Sequence, residues 1–468
     1  MLIRNAEVEG RRVDVRCEAG RIHAIDARLE ARNGEEQLDG EGGALLPGLH
    51  DHHLHLRALA AAQDSIPCGP PVVRSRAALQ GRLASALPAA DGWLRGTGYH
   101  ESVAGTLDRR TLDALRVDCP MRIQHRSGSM WMLNSRGLEV LRLETSPVPP
   151  GCERDADGAL TGRLFRLDAW LRERLPSGTE PDLARVGRLL ARVGVTGLTE
   201  ATPTNDPEEA DRLREAQRSG ALPQRVLLMG GALLGGMQRN ERLELGARKI
   251  LLDEPALPDL GELVGWIREA HASHRPVAIH TVTRTELLFA LAALDEARTR
   301  PGDRLEHASV APAETLARIA TLGLTIVTQP NFVLERGDAY LADVEPRDRP
   351  LLYRLASWRQ AGVSLGGGTD APFGEADPWR AMRAAVERRT RDGRSLGPEE
   401  ALSPEAALAL FTTPPQAPGG APRRVVVGAR ADLCLLDLPW SEARSRLERE
   451  RVRATLVDGI PLPLTREP

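Results

Sequence analysis

Leu45-Leu46-Pro47-Gly48-Leu49-His50-Asp51-His52-His53-Leu54-His55-Leu56 is an apolar run that ends in histidines. Side chains two apart along a strand share a face, so His53 and His55 point together, as two ligands of one metal do. His52 faces away from that pair, and His50 is less constrained. Imidazole is the commonest metal ligand and suits zinc. A solvated His-rich turn is the alternative, and the buried-strand pattern preceding the histidines argues against it.

Seven further short apolar runs follow that stretch, at 195–200, 225–229, 248–252, 277–282, 304–308, 324–329 and 363–370; the first occupies 45–55. Amphipathic helical patterns separate many of them, for example at 260–274, 285–298 and 312–322. Eight strands alternating with helices predict a (β/α)8 barrel spanning 47–419. Residues 57–190 are too long for one crossover and are expected to form an inserted subdomain over the barrel mouth. Both ends of the chain read as short strands and turns, including a candidate at 424–427, and predict one composite β-sandwich from 1–46 and 420–468.

The chemistry gathers at the carboxyl ends of the predicted strands, where barrel enzymes act. Val277-Ala278-Ile279-His280 and Arg304-Leu305-Glu306-His307 each end in an imidazole. Leu365-Gly366-Gly367-Gly368-Thr369-Asp370 ends in a carboxylate; a phosphate-binding glycine loop would need a following helix and lysine that are missing here. Of the 62 Lys plus Arg residues, only Lys249 is lysine. An amine can lose its proton or be carboxylated, which a guanidinium does not do readily. Lys249 falls on the fourth predicted strand, one strand–helix unit before His280. A carboxylated lysine would bridge two metals while removing a positive charge.

Composition narrows the alternatives. The 468 residues suit one barrel with a smaller satellite, and the formal net charge of −3 offers no footprint for nucleic acid or a membrane surface. The five cysteines are scattered without a C-x-x-C pair, which argues against a disulfide framework or a cysteine zinc site. The amino terminus has no apolar signal region and no run is long enough to span a bilayer, so a cytoplasmic protein is expected.

Together these residues resemble the amidohydrolase superfamily, within it the branch of N-substituted formamide deformylases and related metal-dependent hydrolases (amidohydrolase family 3). The resemblance covers essentially the whole chain. It implies His53, His55 and Asp370 on one metal, His280 and His307 on a second, and carboxylated Lys249 between them. One or two divalent ions, zinc by expectation, would activate water to cleave a non-peptide C–N bond of an amide, formamide or cyclic amide, with Asp370 as general base and acid. The partner is then a small-molecule substrate, and self-association into a homo-oligomer is compatible with this. Tyr99, His100, His125, Arg126, Trp131, Asn134 and Asn331 are the candidate substrate-binding groups. The sequence departs from the branch at Thr281-Val282-Thr283-Arg284 and at Ser129, both expected to line the pocket. Glu306 is either an orienting partner for a ligand or solvated. The rival readings are a mononuclear deaminase of the same superfamily and an inactive barrel scaffold.

Overall fold

The computed structural model describes residues 1–144, 147–175 and 180–463. Its centre is an eight-stranded parallel sheet. The strands are β1 (Leu49–Leu54), β2 (Val195–Glu200), β3 (Arg225–Gly230), β4 (Leu243–Ile250), β5 (Val277–Thr281), β6 (Arg304–His307), β7 (Thr325–Thr328) and β8 (Ser364–Gly367), each hydrogen-bonded to the next. The ring closes just beyond β8. There the Asp370 N–H donates to the His53 carbonyl and the His55 N–H donates to the Ala371 carbonyl, both at 2.8 Å. This is the (β/α)8 architecture that the strand–helix alternation predicts.

The barrel interior is layered as the period of two requires. Ala201, Met229, Ala247 and Ala278 form a small buried cluster. Lys249 and His280 lie two residues beyond Ala247 and Ala278 on the same strands, and so on the same face. The register pairs Lys249 with Ala278 and His280 with Glu306. Helices return along the outside. The helix Arg284–Ala297 after β5 starts in a capping box: Thr283 Oγ1 accepts from the Glu286 N–H, and the Glu286 carboxylate accepts from the Thr283 N–H, each at 3.1 Å.

The structure corrects three boundaries. The run 45–55 is two strands, because Leu45–Pro47 pairs antiparallel with Leu433–Leu436 in a terminal sheet. Proline removes a ladder donor, and Gly48 then passes so close to Thr196 that a Cβ would overlap the threonine side chain. The fourth strand starts at Leu243 instead of 248, so Lys249 stands near its carboxyl end. Gly246 interrupts the apolar pattern and hides the earlier start. Residues 424–427 form no strand, and Val426 and Val427 are exposed.

Two four-stranded sheets come from the termini. One orders Arg21–Asp26, Arg11–Glu18, Leu2–Val8 and Gln37–Asp39, and the other Ile460–Pro461, Val452–Val457, Leu433–Leu436 and Leu45–Pro47. They share one core that includes Ile3, Val15, Ile22, Leu45, Leu433 and Leu456. The chain divides into two compact units, Met1–Leu56 with Leu183–Pro468, and Arg57–Asp182. The second is built on a mixed six-stranded sheet ordered Cys152–Arg154, Leu160–Phe165, Met130–Leu133, Met121–His125, Leu94–Tyr99 and Ile66–Pro67. Its strands carry two apolar clusters, one around Met121 and Ile123 and one around Trp93, Trp131 and Leu164.

Candidate functional site

Four strand ends bring imidazoles and a carboxylate to one point. His53 and His55 leave the end of β1, and their Nε2 atoms lie 3.5 Å and 3.2 Å from Asp370 Oδ1. One ligand atom from each of these three residues falls within 4.8 Å of the others, the spacing of a metal site. The His307 ring centroid is 4.8 Å from that of His53 and 4.5 Å from that of His280. Alternation along β6 turns Glu306 inward and would turn His307 outward. The left-handed backbone of His307 (φ 70°) and Ala308 (φ 45°) brings the ring inward as well. Asp370 is also left-handed, at φ 56°. Non-glycine residues held there cost about 1–3 kcal/mol and cluster at functional sites.

The protonation states follow from burial. Burial drives the His53 pKa down to about 3, with the nearby Lys249 charge adding to it, and drives His280 well below the usual value. His307 is lowered by the same cause. These rings are therefore neutral at pH 7, the form that ligates a metal. Burial alone would raise Asp370, but the His55 hydrogen bond and the His307 and His53 rings hold it well below the usual carboxylate range.

Lys249 is 5 % exposed, and its Nζ has no hydrogen-bond partner among the described residues. Burial lowers its pKa to about 8 against the pull of Glu306, so loss of the proton at neutral pH is far easier than for an exposed lysine. An orphaned amine in a buried polar site is unusual and calls for a ligand or a modification.

A set of buried groups fixes the rings. His53 Nδ1 is 2.5 Å from Glu306 Oε2, and Glu306 Oε1 accepts from Arg304 Nε at 2.6 Å. His55 Nδ1 meets Thr202 Oγ1 at 2.9 Å, and His307 Nδ1 meets Gln329 Oε1 at 2.6 Å. Asp51 ties β1 to β8 by accepting from the Thr369 N–H (3.0 Å), the Thr369 hydroxyl (2.5 Å) and the His53 N–H (3.1 Å). Burial raises Asp51 to about 7. Of the two readings of Glu306, the orienting one fits, since the residue is 0 % exposed. Arg304, Thr202 and Asp51 were not singled out from the sequence. Arg304 and Glu306 did carry a signal: opposite charges two apart on a buried strand share a face and invite pairing.

His50 and His52 stand outside the cluster. His50 Nε2 pairs with Thr199 Oγ1 and His52 Nε2 with Thr413 Oγ1, both at 3.0 Å. Asn331 is buried beside the centre, donates to the Thr369 carbonyl at 3.0 Å, and leaves Oδ1 without a partner among the described residues. Three residues of the stretch 281–284 have partners within the fold. The Thr281 hydroxyl donates to the Glu306 carbonyl at 3.0 Å, Thr283 caps the following helix, and Arg284 pairs with Asp348.

The remaining candidates lie in the unit Arg57–Asp182. Tyr99 is 0 % exposed and donates its hydroxyl to the Gly105 carbonyl, while Trp131 is packed in a core and donates Nε1–H to Asp168 at 2.8 Å. Asn134 caps the helix Ser135–Val140. These three hold that unit together. His100 and His125 face each other at 6.1 Å, and His125 Nε2 is 3.1 Å from Glu101 Oε2. Arg126 is half-buried beside them, and the Ser129 hydroxyl pairs with that of Ser127 at 2.8 Å.

A profile of the amidohydrolase family matches residues 36–462. The chain is 28 % identical, over 533 aligned positions, to the N-substituted formamide deformylase of Arthrobacter pascens, covering 98 % of this chain and 97 % of that protein. It superposes on the crystal structure of an uncharacterized metal-dependent hydrolase from Pyrococcus furiosus with a TM-score of 0.70 at 22 % identity, covering 92 % of this chain and 97 % of that one. A second such hydrolase, from Pyrococcus horikoshii OT3, gives a TM-score of 0.72 at 20 % identity, with 99 % of each chain covered. At these identities the two structures speak to the fold.

Proposed function

The chain belongs to the amidohydrolase family, and from that premise we propose that it is a metal-dependent hydrolase of a non-peptide C–N bond in a small-molecule amide, formamide or cyclic amide. One observation carries the reading. The His53, His55 and Asp370 donors sit beside a buried Lys249 amine that has no hydrogen-bond partner among the described residues and belongs to the only lysine in the chain.

The residues fit divalent metal. Neutral imidazoles and one ionised carboxylate are the donor set that zinc takes. His53, His55 and Asp370 would hold one ion, His280 and His307 a second, and Lys249, carboxylated on Nζ, would bridge them. Bound zinc supplies Lewis acidity, polarising a carbonyl and bringing the pKa of water down to about 7. Asp370, whose carboxyl sits well below the usual carboxylate range and is therefore ionised at neutral pH, takes the proton of the attacking water at Oδ and returns it to the departing amine nitrogen. The left-handed backbone holds that carboxylate at the mouth of the barrel, where a substrate arrives.

The mouth also favours an apolar substituent on the substrate. Leu251 and Val282 directly follow the carboxyl ends of β4 and β5, the rim that carries Lys249 and His280, and each is 39 % exposed. Phe373 sets its ring edge against His55 at 5.5 Å.

Zinc-loaded protein is to be assayed on a panel of N-formyl, N-acyl and cyclic-imide compounds beside His53→Ala, His280→Ala, Asp370→Ala and Lys249→Ala. The expected result is turnover by the wild type that falls at least about 10³-fold in each variant, with less metal bound per chain. Wild-type turnover in all four variants would refute the assignment.

A further inference from the structure

The three rings with assigned Nδ1 contacts are not held alike. Thr202 meets His55 with a hydroxyl, which rotates to donate or accept, and Gln329 meets His307 with an amide, which does the same by a flip. Neither partner dictates a tautomer. Glu306 does, because an ionised carboxylate only accepts. Arg304 secures that state: it is 3 % exposed, its Nε–H lies 2.6 Å from Glu306 Oε1, and its second nitrogen donates to the His52 carbonyl at 3.1 Å. The guanidinium is thus anchored at both ends to β1 and β6.

We infer that Arg304 and Glu306 form a positioning pair that forces the proton of His53 onto Nδ1 and aims the Nε2 lone pair at the space beside Asp370. Resting on the metal-centre reading above, this makes His53 the ring whose ligating form is set before any ion arrives. Both Glu306 oxygens are taken up by His53 and Arg304, so its role would be exerted through His53. The carboxylate also raises the electron density of the ring it holds, which strengthens ligation.

The pair makes an unusual demand on substitution. In Glu306→Gln the shape is kept, but Arg304 Nε–H continues to claim the side-chain oxygen. The amide NH2 then faces His53 Nδ1 and makes it an acceptor, which moves the ring proton to Nε2, where it blocks ligation. Removing the donor as well, in Arg304→Met/Glu306→Gln, frees the amide to flip and accept from His53 Nδ1–H. A second substitution in the same buried pair should therefore recover what the first one loses. A purely structural role predicts the opposite, since two defects in one core add.

The test has two readouts besides turnover. In metal-free protein, ¹⁵N shifts of selectively labelled histidine report which His53 nitrogen carries the proton. Competition with a chromogenic chelator reports zinc affinity. The expected results are an Nδ1–H wild type, an Nε2–H Glu306→Gln with zinc affinity about 10- to 100-fold weaker, and partial return of both in the double variant. Glu306→Asp, which keeps an accepting carboxylate, retains the Nδ1–H tautomer. An unchanged tautomer and affinity in Glu306→Gln, or a double variant worse than the single, would overturn the inference while leaving the metal-centre reading in place. A wild type that takes up no zinc would overturn both.

Discussion

Replacing Gly368 with alanine should pry apart the two strands that carry His53 and Asp370. Gly368 lies just past β8, and a Cβ there would stand 2.6 Å from His53 Cβ, 2.8 Å from His53 N and 3.0 Å from His53 Cα. Ordinary contact begins at 3.4 Å, so the chains must separate by about 0.8 Å. No flexible side-chain tip is available to give way, because the neighbouring atoms are backbone and Cβ. The Gly368 N–H is bonded to the Thr328 carbonyl at 2.9 Å and the Asp370 N–H to the His53 carbonyl at 2.8 Å, so the strain falls on the ring closure itself. Overpacking of this kind costs about 1–3 kcal/mol. The geometric effect is larger, since a misplacement of about 1 Å among reacting groups costs on the order of 10²-fold in rate. Asp370 would move away from His53 and His55, weakening zinc binding as well. Chelator competition and thermal unfolding of the metal-free protein measure the two effects separately. Gly261→Ala is the control: nothing lies within 4 Å of its added Cβ, so stability should hold or rise. A Gly368→Ala protein with wild-type zinc affinity and Tm would refute this account of how the site is closed.

Three further outcomes are expected. Stripping metal with a chelator should lower the Tm, because an ion present at about 1,000 times its Kd adds roughly 4 kcal/mol to the folded state, and zinc should restore it; differential scanning fluorimetry reads this directly. Burial raises Glu335 from 4.5 to about 7, so the folded protein keeps a proton there that the unfolded chain releases earlier. The stability this contributes is present below pH 4.5 and lost as pH rises through 7. Glu335→Gln should therefore gain stability relative to wild type across that window, and parallel melting curves at pH 5 and pH 8 would refute it. Arg388 is 0 % exposed and donates to the carbonyls of Leu396, Gly397, Tyr353 and Leu352. Tyr353 O also accepts from the Leu355 N–H and Gly397 O from the Glu400 N–H, so Arg388→Leu leaves the Leu396 and Leu352 carbonyls without a donor and should cost upward of about 2 kcal/mol, visible as a drop in Tm or in soluble yield.

Much of the candidate site was legible because it depends on short-range rules. His53 and His55 share a face by the period of two. The amine at 249 drew attention because arginine takes every other cationic position. Other parts obey no local rule. Glu306 and His307 are adjacent, and alternation allows only one of them inward; the left-handed turn at His307 admits both. The break at Pro47-Gly48 looks like strand continuation until Leu45–Pro47 is seen bonded to a strand from the far end of the chain. Tyr99 and Trp131 resemble binding residues by type, and only their burial and satisfied polar atoms identify them as core.

By itself the sequence determined the strand–helix alternation, the face that His53 and His55 share and the singular lysine. Each of these is set within a few residues, by side-chain period and by the chemistry of one group. Tertiary structure alone decided that His53 meets Glu306, 253 positions away, and that Arg304 claims the other carboxylate oxygen. Those contacts exist because the eight-stranded ring closes and carries distant strand ends to one rim, and no local pattern encodes the distance across a closed ring.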